Sequence, residues 1–218
     1  MSEPTTMPEP SSPAEPSPPA DERARSDKWL ARRESIVDTS AKVFAKQGYH
    51  ATGIVELCDA NGLGKGAFYH YIGSKEELLY SIMTEYMMQL NASANHILER
   101  VADTRERIVA LSESFTETMF HSRAAMTVCY REVHSLGIET RDSVLQLHSD
   151  YQRVWERTLA EGAERGECRV VSRLETKALL GMYFYSFLWV KTNGPATSKD
   201  IARDFANIVL AAVSTGKE

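Results

Sequence analysis

Lys65, Gly66, Tyr69, His70 and Lys75 fall within eleven residues of one another. The chemistry open to this set is recognition of a polyanion. Lys65 can donate to O6 or N7 of a guanine, a common specific contact in a DNA major groove. Gly66 lacks a side chain that would keep a partner away from the backbone. Ser74 and Glu77 have the S-x-x-E spacing of a capping box, so a helix starts there, and its first amide groups together with Lys75 can hold a phosphate. His70 has two readings, a phosphate contact or a cap on local structure.

These side chains must be stood out from a surface by short, well-held elements. Thr52 is placed to cap a helix whose Ile54, Leu57 and Cys58 recur at three-to-four spacing and so share a buried face. Asn61 and Gly62 stop that helix. Gly62 can adopt a positive φ without steric cost, so the chain reverses within a few residues while Leu63 drops between the helices. The next segment, 64–71, is too short and too glycine-bearing to be stable alone, and Ala67, Phe68 and Tyr71 are its expected packing face. Helix, tight turn, helix and the start of another helix is the layout of a helix-turn-helix DNA reader.

The run from Arg33 to Leu79 contains R-x-x-I-V-D, FAKQGYHATGI and NGLGKGAFYHYIGSKEELL. In these motifs and their order it closely resembles the N-terminal domain of the TetR family of bacterial transcriptional regulators. The resemblance covers about a fifth of the chain. It implies that Thr52, Tyr69 and Lys75 meet DNA phosphates, and that Gly64, Lys65 and Gly66 open a recognition helix facing base edges. The sequence departs from the family at Gly64, where Ser is usual, and at Cys58 and Asn61, where Ala is frequent. Glycine still serves as an N-cap, so the recognition helix is expected to be weakened and not lost.

Whole-chain composition sets bounds on this reading. The chain has 218 residues, 43% of them hydrophobic, and a formal net charge of −5. An acidic chain is a poor general binder of nucleic acid, so DNA contact has to be local. Residues 28–75 supply that locality, with seven Lys or Arg against four Asp or Glu. Lys28, Arg32 and Arg33 are either DNA contacts or solvated surface charges. Residues 1–26 are read as a disordered tail, because seven of the eight prolines fall within residues 1–20 and no apolar core is present for a signal peptide or membrane anchor. Three cysteines without short-range pairing argue against a disulfide framework or zinc site and suit a cytoplasmic protein. His121, His134 and His148 are too scattered for a metal site. No nucleophile elbow, phosphate loop or ligand cluster is present, so neither an enzyme nor a cofactor is expected.

The rest of the chain reads as helix throughout, giving an all-α fold with a DNA-binding domain over 27–73 and a ligand-binding and dimerisation domain over 74–218. A helix from Ser74 to about Val101 links the two. Further helices are expected from Asp103, over about 123–136, from about Thr140 to Arg165, over 173–192 and over 198–214. LLGMYFYSFLWV at 179–190 is apolar almost all round but shorter than the roughly 20 residues that span a bilayer, so it is expected as a buried helix. In the family this chain resembles, the last two helices of each subunit form a dimer interface; intramolecular packing alone is the alternative.

Phe115, Met119, Met126, Tyr130, His134, Leu147, Tyr151, Trp155, Met182 and Trp189 are rich in Met and aromatic rings, as adaptable pockets are, although ordinary core packing explains any one of them. YREVHSL at 130–136 and the C-terminal FLWVKTNGPATSKDIARDFANIVLAAV are similar to TetR-family members that control lipid or sterol breakdown and respond to acyl-CoA thioesters. That subgroup commonly has W-Y-R-P where Trp189-Val190-Lys191-Thr192 stands here. The implied function is a homodimeric repressor on a palindromic DNA operator, released by a small effector such as an acyl-CoA. A DNA-binding adaptor with a protein partner is the competing reading.

Overall fold

The computed structural model describes residues 20–215, with side chains from residue 25 onward. Eight α-helices follow in order among the described residues: α1 (Ala20–Gln47), α2 (Ile54–Asn61), α3 (Lys65–Tyr71), α4 (Lys75–Arg100), α5 (Thr104–Glu132), α6 (Ile138–Glu164), α7 (Arg173–Phe184) and α8 (Ser198–Val213). Short 3-10 turns follow α5 at Val133–Ser135 and α7 at Ser186–Leu188. No strand occurs among the described residues. Nor is any helix among them long and apolar enough to cross a membrane.

The helices begin where short polar side chains can satisfy free amides. Ser74, Asp103, Ser172 and Thr197 each accept a hydrogen bond from the amide three residues on. At Ser172 and Thr197 the reciprocal bond closes a full capping box; at Ser74 only the hydroxyl half forms. Helix α4 carries the expected stripe, with Leu78, Leu79, Ile82, Met83, Tyr86, Leu90, Ala94 and Leu98 all buried. Its first half meets α1 and its length lies against α5 and α6, so it runs from the helix-turn-helix end of the molecule, the head, into the core.

Three expectations need correction. Helix α1 starts at Ala20, so residues 20–26, assigned to the tail, are helical; residues 1–19 lie outside the described residues. The two helices expected either side of residue 123 are one, α5, bent at Ser122 where φ is −106° and ψ is 21°. The helix expected over 173–192 stops at Phe184. Beyond it the Ser186 hydroxyl turns inward to donate to the Tyr183 carbonyl, while Leu188 and Trp189 are left more than half exposed. The apolar run is therefore a helix end and a turn, with Tyr183, Phe187 and Val190 buried and Leu188 and Trp189 outside.

Far from the head, α4, α5 and α6 are locked by one side chain. Arg107 is 6% exposed; its Nε donates to the Val101 carbonyl, its Nη2 to the Leu98 carbonyl at 3.1 Å, and its Nη1 pairs with Glu161 at 2.5 Å. It thus satisfies carbonyls freed at the α4 C-terminus. Hydrogen bonds from Arg107 and then Arg157 hold the Glu161 carboxyl below the usual carboxylate range. A depressed folded-state pKa contributes stability above the unfolded value, lost as pH falls through the folded one. Arg107→Met should lower unfolding free energy by about 2–4 kcal/mol near neutral pH and flatten the acid limb of stability against pH; denaturant titrations at several pH values would measure both.

Candidate nucleic-acid interface and ligand cavity

The turn between α2 and α3 has the form its residues require. Gly62 sits at φ 61°, ψ 37°, its amide bonds to Asp59 O at 3.1 Å, and the Leu63 amide reaches Cys58 O at 3.0 Å. Asn61 adds a tie outside the turn. Its amide donates to Leu57 O at 2.8 Å and to Ser40 Oγ at 3.3 Å, and its carbonyl accepts from Arg32 at 2.9 Å. The residue that departs from the family pattern here pins α2 to α1.

Helix α3 is held from behind. Phe68 and Ile72 are fully buried, and Tyr71 packs against Trp29 of α1 with ring centroids 5.7 Å apart. Ala67, expected on the packing face, is exposed instead. On the open side Lys65, Gly66, Tyr69 and His70 all face solvent. A Cβ built on Gly64 or Gly66 would meet no atom within 4 Å, so packing within the chain does not demand glycine at either position. Close approach of an external surface would.

The remaining expected contacts are engaged elsewhere. Thr52 does not cap α2: Gly53 occupies the N-cap, and Thr52 is 2% exposed with its hydroxyl donating to Gly48 O at 2.8 Å. The Lys75 ammonium lies 4.3 Å from the centre of the Tyr49 ring, and burial lowers its pKa against the opposing pull of Glu132. Arg33 pairs with Glu85 at 2.5 Å and reaches Ser81 at 2.7 Å. Of Lys28, Arg32 and Arg33, Lys28 alone is exposed.

A second constellation joins head and core. The Tyr49 amide donates to Glu132 Oε1 at 3.2 Å; Ser135 Oγ bonds to Glu132 Oε2 at 3.1 Å and lies 3.0 Å from His50 Nε2. Arg131 Nη1 donates to the Ala45 carbonyl at 2.9 Å. Tyr49 and His50 belong to the loop feeding α2, so the last turn of α5 grips the reading head directly.

Next to that grip lies a cavity of about 350 Å³ between α4, α5, α6 and the α7 end. Of the residues proposed above for a pocket, Met126 and Tyr130 line it, Tyr130 at its rim. The other expected residues do not. Phe115, Met119, Tyr151 and Trp155 are buried in the core; Leu147 and Met182 are half-buried, while His134 and Trp189 are exposed. The lining residues missed include Tyr86, Cys129, His148, Phe184 and Phe187, with Val133, Leu145 and Tyr185 around them. His148 had a signal: its spacing from Val144, Tyr151 and Trp155 puts it on the same face of α6. With its proton on Nδ1, facing Val144 O at 3.0 Å, His148 Nε2 accepts from the Tyr86 hydroxyl at 3.4 Å. Burial lowers the His148 pKa, which keeps the ring neutral.

Comparison with known proteins matches residues 36–82 to the model of bacterial regulatory proteins of the tetR family, and 101–213 to that of the tetracyclin repressor-like C-terminal domain. The HTH-type transcriptional repressor KstR2 of Mycobacterium tuberculosis (strain ATCC 25618 / H37Rv) is 26% identical over 187 residues, 84% of this chain and 94% of that protein. Among solved structures, the transcriptional regulator PfmR from Thermus thermophilus superposes with a TM-score of 0.76 at 29% identity, covering 84% of this chain and 99% of that one. AibR, solved with isovaleryl coenzyme A and operator DNA, gives 0.70 at 24% identity, over 81% and 97%.

If Glu132 carries the grip, Glu132→Ala should speed amide hydrogen exchange at Tyr49 and the loop around it while leaving α4 and α6 protected. Unchanged exchange at Tyr49 would show that the contact does not restrain the head.

Proposed function

We propose, for a chain that belongs to the TetR family of bacterial regulatory proteins, that it is a homodimeric repressor of transcription released from a palindromic operator by an acyl-CoA thioester. Its activity is DNA binding and not catalysis. The observation that carries the assignment is the open face of α3: Lys65, Gly66, Tyr69 and His70 stand outward on a helix anchored by Phe68 and Ile72. Lys65 reads base edges and Gly66 admits the DNA backbone, with Tyr69 and His70 on phosphates. Lys75 joins them by leaving the Tyr49 ring, and Thr52 and Gly64 set the approach through their backbone. The reading unit extends from the first helix to residue 73, and 74–218 forms the regulatory unit.

One reading head covers half of a symmetric site, so operator recognition calls for two. Leu174 and Ala178 on α7, Tyr185 at its C-cap and Ile208 on α8 are exposed, with Gly181 half-buried between them, and this stripe supports a partner copy at the last helices. Leu174 is 76% exposed, and a Cβ on Gly181 would meet nothing within 4 Å, so a second helix can approach closely. In such a dimer the two α3 helices enter successive major grooves about 34–36 Å apart.

The cavity beside the head–core grip supports a small effector over a protein partner. The thioester class is supported by the likeness to KstR2, a repressor, and to AibR, whose complex contains isovaleryl coenzyme A and DNA.

Fluorescence anisotropy on DNA from upstream of the chain's own gene tests the assignment. Lys65→Ala with Tyr69→Ala should weaken specific binding on the order of 100-fold while the dimer mass is unchanged; retained affinity contradicts the α3 reading. Leu174→Arg with Ile208→Arg should yield monomers by light scattering and lose the same operator, whereas a variant that stays dimeric would move the interface elsewhere.

A further inference from the structure

A cleft of about 580 Å³ opens on the other side of α5 from the effector cavity, where α1 of the reading head meets α5. Lys42 and Lys46 line it from α1, and Arg123 and Arg131 from α5, with no carboxylate among the lining residues. On a chain of net charge −5 this is a local concentration of positive charge. Lys42 pairs with Asp38 at 2.7 Å, but both side chains are at least half exposed, so that pair holds the ammonium only weakly. Phe187 lines both the cleft and the cavity. Its carbonyl accepts from Arg123 Nε at 3.0 Å, and its ring packs 6.0 Å from that of Tyr130 at the cavity rim.

From this arrangement, and resting on the effector reading above, we infer that the two hollows are the two halves of one site. The acyl group occupies the aromatic cavity, and the phosphate-bearing nucleotide of coenzyme A lies in the basic cleft. The cavity is at the small end of the roughly 300–1,000 Å³ typical of ligand sites, which fits a compact acyl group. A thioester carbonyl inside it would compete with His148 Nε2 for the Tyr86 hydroxyl proton. The pantetheine arm has only to pass Phe187 around one helix, roughly 10–12 Å across.

The placement has a mechanical consequence. Two of the four cations belong to the reading head and two to the core, so the phosphates bridge the units. Arg131 is also the residue whose guanidinium holds the Ala45 carbonyl of α1. Phosphates drawn between Lys42, Lys46 and Arg131 compete for that guanidinium and reset the spacing of α1 on α5. The nucleotide half of the effector thereby acts on the head directly, alongside any path through α4.

Isothermal titration with acetyl-, isovaleryl- and octanoyl-CoA, on wild type and on Lys42→Glu with Lys46→Glu, tests this. Both lysines are exposed, so the fold should persist with only a small loss of melting temperature, because Lys42→Glu meets Asp38 and Lys46→Glu lies at the negative end of α1. The variant is expected to bind every ester on the order of tenfold more weakly, with a flatter dependence on salt, while the wild-type ranking of chain lengths is preserved. Arg123→Gln should act in the same direction. Wild type that binds an ester no better than the double variant overturns the placement alone, as does a variant whose chain-length ranking changes. Wild type that binds none of the three overturns the acyl-CoA reading, and the placement with it.

Discussion

Helix α3 has seven residues, glycine at its N-cap and again at its second position, and no side-chain cap, so its helicity is borrowed from whatever Phe68 and Ile72 are buried against. Helix α3 packs on α2 and reaches α1 through Tyr71. Trp29 covers Tyr71, Ser40 and Arg32 fix the Asn61 end of α2, and Gly62 fixes the angle between α2 and α3. The reading surface therefore has no orientation of its own. It inherits that of α1, and α1 in turn packs along α5.

Helix α5 also packs against α4 and α8, and within two turns it serves both cavity and head. Met126, Cys129 and Tyr130 line the cavity, and the 3-10 turn adds Val133. Arg131, Glu132 and Ser135, interleaved with them, hold Ala45, Tyr49 and His50. A residue cannot be displaced on one face of a helix without moving its neighbours on the other. The energies are commensurate as well: each junction hydrogen bond contributes about 0.5–1.5 kcal/mol net, and coupling between sites is typically about 1–3 kcal/mol. Losing one or two of these bonds is enough for regulation.

How much of this was legible depended on the range of the interaction. Local chemistry could be read: Ser74 and Asp103 cap the helices they were expected to open, and Gly62 turns the chain. Lys75 could not be placed, because its partner Tyr49 lies in another element and the family resemblance pointed it outward. Arg33 is similar, since Glu85 is 52 residues away. The early stop of α7 escaped because apolar residues in an unbroken run carry no period. Only the packed chain shows that Tyr183, Phe187 and Val190 are buried while Leu188 and Trp189 are not. Cavity residues failed for a further reason: Met and aromatic content marks a core and a pocket alike. Of the residues expected in a pocket on that ground, only Met126 and Tyr130 line it.

The residues that filled space instead determine where a ligand can act. Phe115 packs against Tyr151, Tyr183 and Phe184 at 5.2–6.2 Å between ring centres, and Trp155 closes on Tyr183 at 5.3 Å. Tyr151, Trp155 and Tyr183 are fully buried. This cluster continues to the cavity wall through Phe184, which packs on Phe115, Tyr151 and His148. Beyond it Arg107 binds α4, α5 and α6 together. Close-packed aromatic cores yield little to pressure from one side. A molecule entering the cavity thus meets a rigid block on the far side and, on the near side, a few hydrogen bonds to a loop. The softer side gives, and it carries the reading head.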